Sequence, residues 1–303
     1  MRVVLTNLSN DLFKESRFRL NASAQQYGIA SVNSYDQEDI KSTPFYAENK
    51  KVLDSPKGIG YWLWKSYIIL ETMKSLQDGD IVVYADCGLE IIAPIDPLVQ
   101  ICAREQPVLL FANGNLINSM WTKRDCFILM DADQKKYYRG IQCDASFALF
   151  RKSPEAIQFL NDWMKYGRDI RVISSDPNTL GKKNLPDFIE HRWDQSILSI
   201  LAMQYQIPFY RMPSQYGNHY KMPDYRVPGE FNQVNQYRQQ PVDFYARAPF
   251  VNSPYGQLLN HHRTKKGPVG NAVKSGMFTN LSARVKRKLY HGWVWIDEHV
   301  FNG

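Results

Sequence analysis

From Lys57 to Ile92 the chain reads KGIGYWLWKSYIILETMKSLQDGDIVVYADCGLEII: a glycine-containing loop, an apolar helix, a turn, a strand and an acidic strand end, in that order. Asp80 to Tyr84 is an apolar, β-branched run after the turn signal Gln77-Asp78-Gly79-Asp80, and the chain then changes abruptly to Ala85-Asp86-Cys87-Gly88. Helix followed by buried strand is an α/β unit, and in open α/β sheets ligands gather at the carboxyl ends of the strands. That position singles out Asp86. An Asp closely followed by Gly also makes ordinary turns, so the residues by themselves leave both readings open. The helix, expected over about residues 61–76, is apolar nearly all round and should pack on more than one side. Lys65 is the exception in its first turn. An ammonium beside a helix N-terminus suits a diphosphate, and the alternative is a lysine whose stem lies on the core with its head in solvent.

The same alternation extends in both directions. Arg2 to Leu5 reads as a first strand, Thr6 to Asn10 as a turn and Asp11 to Gln26 as a helix stopped by Gly28. The loop after strand one is where such folds hold a base or ribose, which makes Thr6 and Asn7 candidates by position. Ile29 to Val32 gives a second strand, and Asp36 to Asn49 reads as irregular with one helical turn. Downstream, Leu98 to Arg104 is a helix, Val108 to Ala112 a buried strand, Trp121 to Met130 a helix and Phe147 to Phe150 a strand. Ser153-Pro154-Glu155 carries a helix-start signature of N-cap, first-turn proline and first-turn acid. In that helix Ile157, Leu160, Trp163 and Met164 recur at helical spacing and belong to the core. Asp194 is suited to capping a helix over Gln195 to Tyr205. Residues 213–260 show no periodicity.

The chain has 303 residues, 44% apolar and 13% aromatic, enough for a sizeable core. The N-terminus lacks the apolar run of a secretory signal, and no window has the length of a membrane span. Cys87, Cys102, Cys126 and Cys143 lack Cys-x-x-Cys spacing, which speaks for reduced thiols in a cytosol. The net charge of +7 is concentrated late, in Arg263, Lys265, Lys266, Lys274, Arg284, Lys286, Arg287 and Lys288. Such a run is either a solvated basic tail or a surface for phosphates or anionic lipid. Basic residues beside Tyr290, Trp293, Trp295 and Phe301 suit a membrane interface, and equally a helix docked through its aromatic side.

GYWLWK followed by GDIVVYADCG, then WTKRD (Trp121 to Asp125), Gln142 ahead of ASFALFRKSPEAIQFLNDW, and HRWDQSILSIL (His191 to Leu201), resemble in that order a group of bacterial and viral GT-A glycosyltransferases. The resemblance spans roughly residues 57 to 205. It implies an α/β fold with a GT-A-like mixed, mostly parallel sheet flanked by helices, a transferase domain over 1–245, and a loop-rich basic extension over 246–303. It further implies a nucleotide-diphosphate sugar donor, a UDP-sugar, and a glycan or lipid-linked glycan acceptor in surface polysaccharide synthesis, on the cytoplasmic face of a membrane. Asp194 and Gln195 match the pair lining the sugar pocket of retaining members, and Lys65, Asp86 and Gln142 join the donor site. The first acid of the family's Asp-x-Asp and a late histidine hold Mn²⁺ or Mg²⁺, corresponding to Asp86 and His261 or His262; Gly88 stands where the second acid belongs. Arg263 and Lys265 would close over the diphosphate.

Three other readings compete. A nucleotidyltransferase should carry a Gly-rich, Arg-containing loop after strand one, and TNLSNDLF is not one. A nucleic-acid-binding protein should interleave basic and aromatic residues on one module, whereas here the aromatics sit in apolar helices. A catalytically inactive nucleotide-sugar-binding relative is compatible with Gly88.

Overall fold

A computed structural model describes residues 1–215, 217 and 253–262. Eight strands fall in it: β1 (Val3–Ser9), β2 (Ser31–Asp36), β3 (Ile81–Ala85), β4 (Leu89–Ile91), β5 (Val108–Ile117), β6 (Ile141–Arg151), β7 (Phe209–Arg211) and β8 (Leu259–His261). Six form one sheet in the order β2-β1-β3-β6-β5-β7, while β4 and β8 form a separate ribbon. The β1–β2, β1–β3 and β5–β7 pairs are parallel, and β6 runs antiparallel to both of its neighbours. The sheet is therefore mixed and mostly parallel. β3 is buried at every position, as a central strand covered on both faces must be. β2, at the edge, is SVNSYD, a polar sequence that offers little to an incoming strand.

Helices cover both faces. Trp64–Lys74, Pro154–Gly167 and Trp193–Gln204 pack one core with Val82, Tyr84 and Phe150. Lys14–Gln26 and Asp96–Arg104 pack the other with Leu5, Val83 and Leu149. Ser153 caps the Pro154–Gly167 helix as its sequence signature requires, its Oγ accepting from the Ala156 amide at 3.3 Å.

Several boundaries differ from the sequence reading. The first strand continues through Thr6 and Asn7 to Ser9, because β2 and β3 flank it and pair its polar end as readily as its apolar start. Thr6 and Asn7 thus lie in a strand and not in a turn. Residues 36–49 are not irregular: Gln37–Lys41 and Pro44–Glu48 are helices with Asp36 and Thr43 as caps, and Lys50–Leu53 follows. The Trp121–Met130 segment breaks into Asn118–Trp121 and Arg124–Leu129 at Thr122, which is extended. The helix after the glycine loop begins only at Trp64, because Gly58, Ile59, Gly60, Tyr61 and Trp62 all have φ between 53° and 63° or at 85°, a left-handed turn. A Cβ on Gly60 would stand 2.5 Å from the Leu53 Cα, so this turn tolerates only glycine there.

Candidate functional site

The strand ends and the reversed strand meet in one place. β3 delivers Asp86 at its carboxyl end, where the Asp86 amide donates to the Ser146 carbonyl at 2.7 Å. β6, running the other way, brings Gln142 to Ser146 to the same side of the sheet. The Trp193–Gln204 helix begins there with Asp194 and Gln195, and Lys65 reaches in from the first turn of the Trp64–Lys74 helix.

Lys65 is the hub. Its ammonium lies 2.9 Å from Asp194 Oδ2 and 3.4 Å from Asp86 Oδ1 and donates to the Ala145 carbonyl at 2.9 Å. The ammonium is thus engaged by one carbonyl and two carboxylates. Lys65 is therefore neither a solvent-reaching lysine nor a free donor for a diphosphate; it clamps two carboxylates contributed by separate elements. Burial pulls its pKa down, but Asp194 and Asp86 outweigh burial and the net direction is up. For Asp194 burial dominates, reinforced by the Asp86 charge and opposed by Lys65, and its carboxyl is raised from 3.8 to about 6. The side chains of Lys65 and Asp194 are 3% and 6% exposed and that of Asp86 35%, so Asp86 is the member that meets solvent. The Tyr84 hydroxyl donates to Asp86 Oδ1 at 2.5 Å and fixes its orientation.

Asp194 is not a helix cap. Arg192 occupies the cap position without a side-chain bond, Trp193 opens the helix with φ 46°, and Asp194 lies one residue inside, turned to Lys65. Gln195 donates to Gln142 Oε1 at 2.6 Å and accepts from Asn113 Nδ2 at 3.3 Å. Gln142 is fully buried and donates to Thr122 Oγ1 at 3.0 Å, so it orients Gln195 from behind. WTKRD and the start of HRWDQS form scaffold. Lys123 Nζ donates to the Ser174 and Asp176 carbonyls at 3.2 and 3.0 Å, and Asp125 accepts from the Thr179 amide at 2.6 Å. His191 Nδ1 accepts from the Lys123 amide at 3.3 Å, and burial first, then the Lys123 charge, depresses its pKa to about 3.

Midway along β1, Thr6 is fully buried and its Oγ1 accepts from Thr72 at 3.1 Å. Asn7 donates to Asn21 at 2.9 Å, while Asn7 Oδ1, Ser9 Oγ and Asn10 Oδ1 are buried without a partner. Buried polar atoms are nearly always satisfied, and these three stand together at one strand end. Cys87, whose Sγ lies 3.1 Å from the Leu8 carbonyl, ties this end to the Asp86 loop. Ser9 and Asn10 escaped the sequence reading because they looked like turn residues; Tyr84 and Ala145 carry no sequence signal at all.

The expected metal ligands Asp86, His261 and His262 each have other partners, the His261 amide donating to Gln215 Oε1 at 3.0 Å. His262 lies against Glu90 at 2.5 Å, the His262 amide donates to the Gly88 carbonyl, and Asp86 is held by Lys65 and Tyr84. A Cβ at Gly88 would stand 3.2 Å from the His262 carbonyl, so the β4–β8 ribbon itself crowds the position of the second acid. Among the described residues no three His, Cys, Asp or Glu converge as a metal would need. Arg263, Lys265, the 245/246 boundary and the C-terminal aromatic tail lie outside the described residues.

No family model matches the chain, and no curated protein matches it. Among solved structures, mouse xyloside xylosyltransferase 1 aligns over 88% of this chain and 100% of its own at 11% identity, TM-score 0.42. The WbbM bifunctional glycosyltransferase aligns over 88% of this chain and 46% of its own at 11% identity, TM-score 0.46. GlyE of Streptococcus pneumoniae, a glycosyltransferase, aligns over 97% and 64% at 11% identity, TM-score 0.37. All are loose likenesses.

Proposed function

We propose that the chain moves a sugar from a nucleotide-diphosphate donor, a UDP-sugar, to a glycan or lipid-linked glycan in surface polysaccharide synthesis. The observation that carries this reading is the convergence of Asp86, Asp194 and Lys65 from three elements at the carboxyl end of the sheet, beside the orphaned polar atoms of Asn7, Ser9 and Asn10. The orphans suit the imide and hydroxyls of a nucleoside. Asp86 then faces the sugar-diphosphate, and Asp194 with Gln195 lines the reacting face.

The departing diphosphate gathers negative charge as the glycosidic bond breaks, and cations must meet it. Lys65 is already engaged by the carboxylates. Arg263 and Lys265 are proposed for this role, since the chain enters them directly from His262, whose amide is bonded to Gly88. Gln195, held by Gln142 and Asn113, is an amide and no base, and Asp194 is held by Lys65, so Asp194 does not pivot freely toward an acceptor hydroxyl as a general base. This favours retention of anomeric configuration, which proton NMR of the product reads directly. The crowding at Gly88 favours one second reading, an inactive nucleotide-sugar binder. A thermal-shift screen of nucleotide sugars followed by a donor-turnover assay separates the two: a binder shifts without turnover. Normal turnover by a folded Asp86→Ala protein would remove the reading altogether.

A further inference from the structure

We propose that Trp62 is the platform on which a sugar ring of the acceptor stacks beside Asp194, an inference that rests on the glycosyl-transfer reading. Its ring centroid lies 5.9 Å from Lys65 Nζ, the atom that joins Asp86 to Asp194. Trp62 therefore lies beside the Lys65 clamp, and its open part is proposed to face the acceptor. It is half-buried, whereas Trp193, whose ring lies 5.3 Å away at 37°, is buried. Trp193 is also fully engaged: its Nε1 donates to Ser175 Oγ at 2.8 Å and the Lys57 ammonium stands 3.8 Å from its ring centre. Trp193 backs the Trp62 ring.

The local backbone is arranged to hold this ring. Ile59, Tyr61 and Trp62 have φ of 54°, 53° and 63°, and Trp193 has 46°. A left-handed conformation costs about 1–2 kcal/mol for each non-glycine residue, and such strain concentrates at ligand-binding places. A Cβ on Gly58 would fall 2.4 Å from the Trp62 ring, so the ring lies flat against the glycine and cannot swing that way. A rigid aromatic face loses little entropy when a ligand covers it.

The chemistry of the surroundings selects a sugar. A pyranose offers a face of weakly positive C–H hydrogens, which suits the negative face of an indole, and a rim of hydroxyls that want hydrogen-bonding groups. Lys57, Glu190 and Arg192, a charged cluster on the Trp193 side, are proposed for that rim: Lys57 Nζ is 3.9 Å and Arg192 4.0 Å from Glu190. The nucleoside end belongs to the orphaned atoms at the end of β1, which leaves the Trp62 side of Asp194 for the acceptor.

The test uses the whole chain and the variants Trp62→Ala and Trp62→Phe. With an accepted glycan, Trp62→Ala should raise acceptor KM about tenfold or more while the melting shift given by the donor is retained, and Trp62→Phe should keep most of the affinity. Unchanged acceptor KM in Trp62→Ala, or loss of the donor shift in parallel, overturns the platform. Fluorine NMR of fluorotryptophan-labelled protein covers the case of a poorly folded variant. The Trp62 signal, identified by its absence in Trp62→Phe, should move with methyl glucoside, galactoside or N-acetylglucosaminide and not with UDP. Transfer with a motionless Trp62 signal overturns the platform alone. Glycoside binding at Trp62 without donor binding or turnover keeps the platform and overturns the transferase reading.

Discussion

Lys65 shows how far one side chain can determine a site. Among the described residues it is the cation placed between Asp86 and Asp194, so Lys65→Met would leave two carboxylates without it, one of them buried. Breaking such a buried pair costs about 3–5 kcal/mol, which urea unfolding should register directly. Asp194→Asn should lower turnover by about 100-fold or more, the size of removing one group that stabilises transition-state charge, with the protein still folded. The pH dependence gives this residue a signature. With its carboxyl raised from 3.8 to about 6, the folded chain holds a proton there that the unfolded chain has released, so this group costs stability as pH rises through that window. Turnover that needs the carboxylate should rise through the same pH of about 6, and Asp194→Asn should remove both effects. A rate profile unchanged by the substitution would place Asp194 outside the reaction.

At the scale of elements, the left-handed turn before the Trp64–Lys74 helix is the most specific feature of the chain. Two glycines test whether its cost is backbone conformation or space. Gly28 ends the Lys14–Gln26 helix at φ 91° with nothing within 4 Å of a new Cβ, and Gly60 sits at φ 85° with the Leu53 Cα at 2.5 Å. Gly28→Ala should cost about 1–2 kcal/mol, the left-handed penalty alone. Gly60→Ala should cost more, about 3 kcal/mol or above, because backbone must move as well. Equal values in urea melts would mean that the turn relaxes freely, which would weaken the case for a rigid Trp62. The sequence announced the glycines as a loop but not their handedness, since left-handed Ile59, Tyr61 and Trp62 have no local signal and depend on packing against residues as distant as Trp193.

For the whole molecule, stability at low pH should hinge on His191, far from its partners in sequence. Its pKa is lowered from 6.5 to about 3, so between those values the unfolded chain takes up a proton that the folded chain refuses, and stability falls as pH drops. His191→Gln should flatten that limb in urea midpoints measured across the same range. Among the described residues no helix is long and apolar enough to cross a membrane. Membrane contact, as proposed for an enzyme of lipid-linked glycans, would fall to the basic and aromatic residues after Phe278. Sedimentation with anionic liposomes at low salt should capture the intact chain and not one truncated after Phe278; equal partitioning would assign those residues to packing.

The sequence by itself determined the α/β alternation, because a strand such as Ile81–Ala85 and a capped helix such as Pro154–Gly167 are specified by residues within a few positions of one another. It also pointed to Asp86, since strand ends are local features. Only the tertiary structure decided what surrounds Asp86. Lys65, Asp86, Ala145 and Asp194 are joined by hydrogen bonds and ion pairs across up to 129 positions, from Lys65 to Asp194, and no residue pattern encodes a contact made at that separation. Tertiary packing likewise drew Thr6 and Asn7 into the sheet and turned Asp194 from a cap into the partner of a buried lysine. Local propensity is overridden where long-range pairing satisfies the same polar groups better.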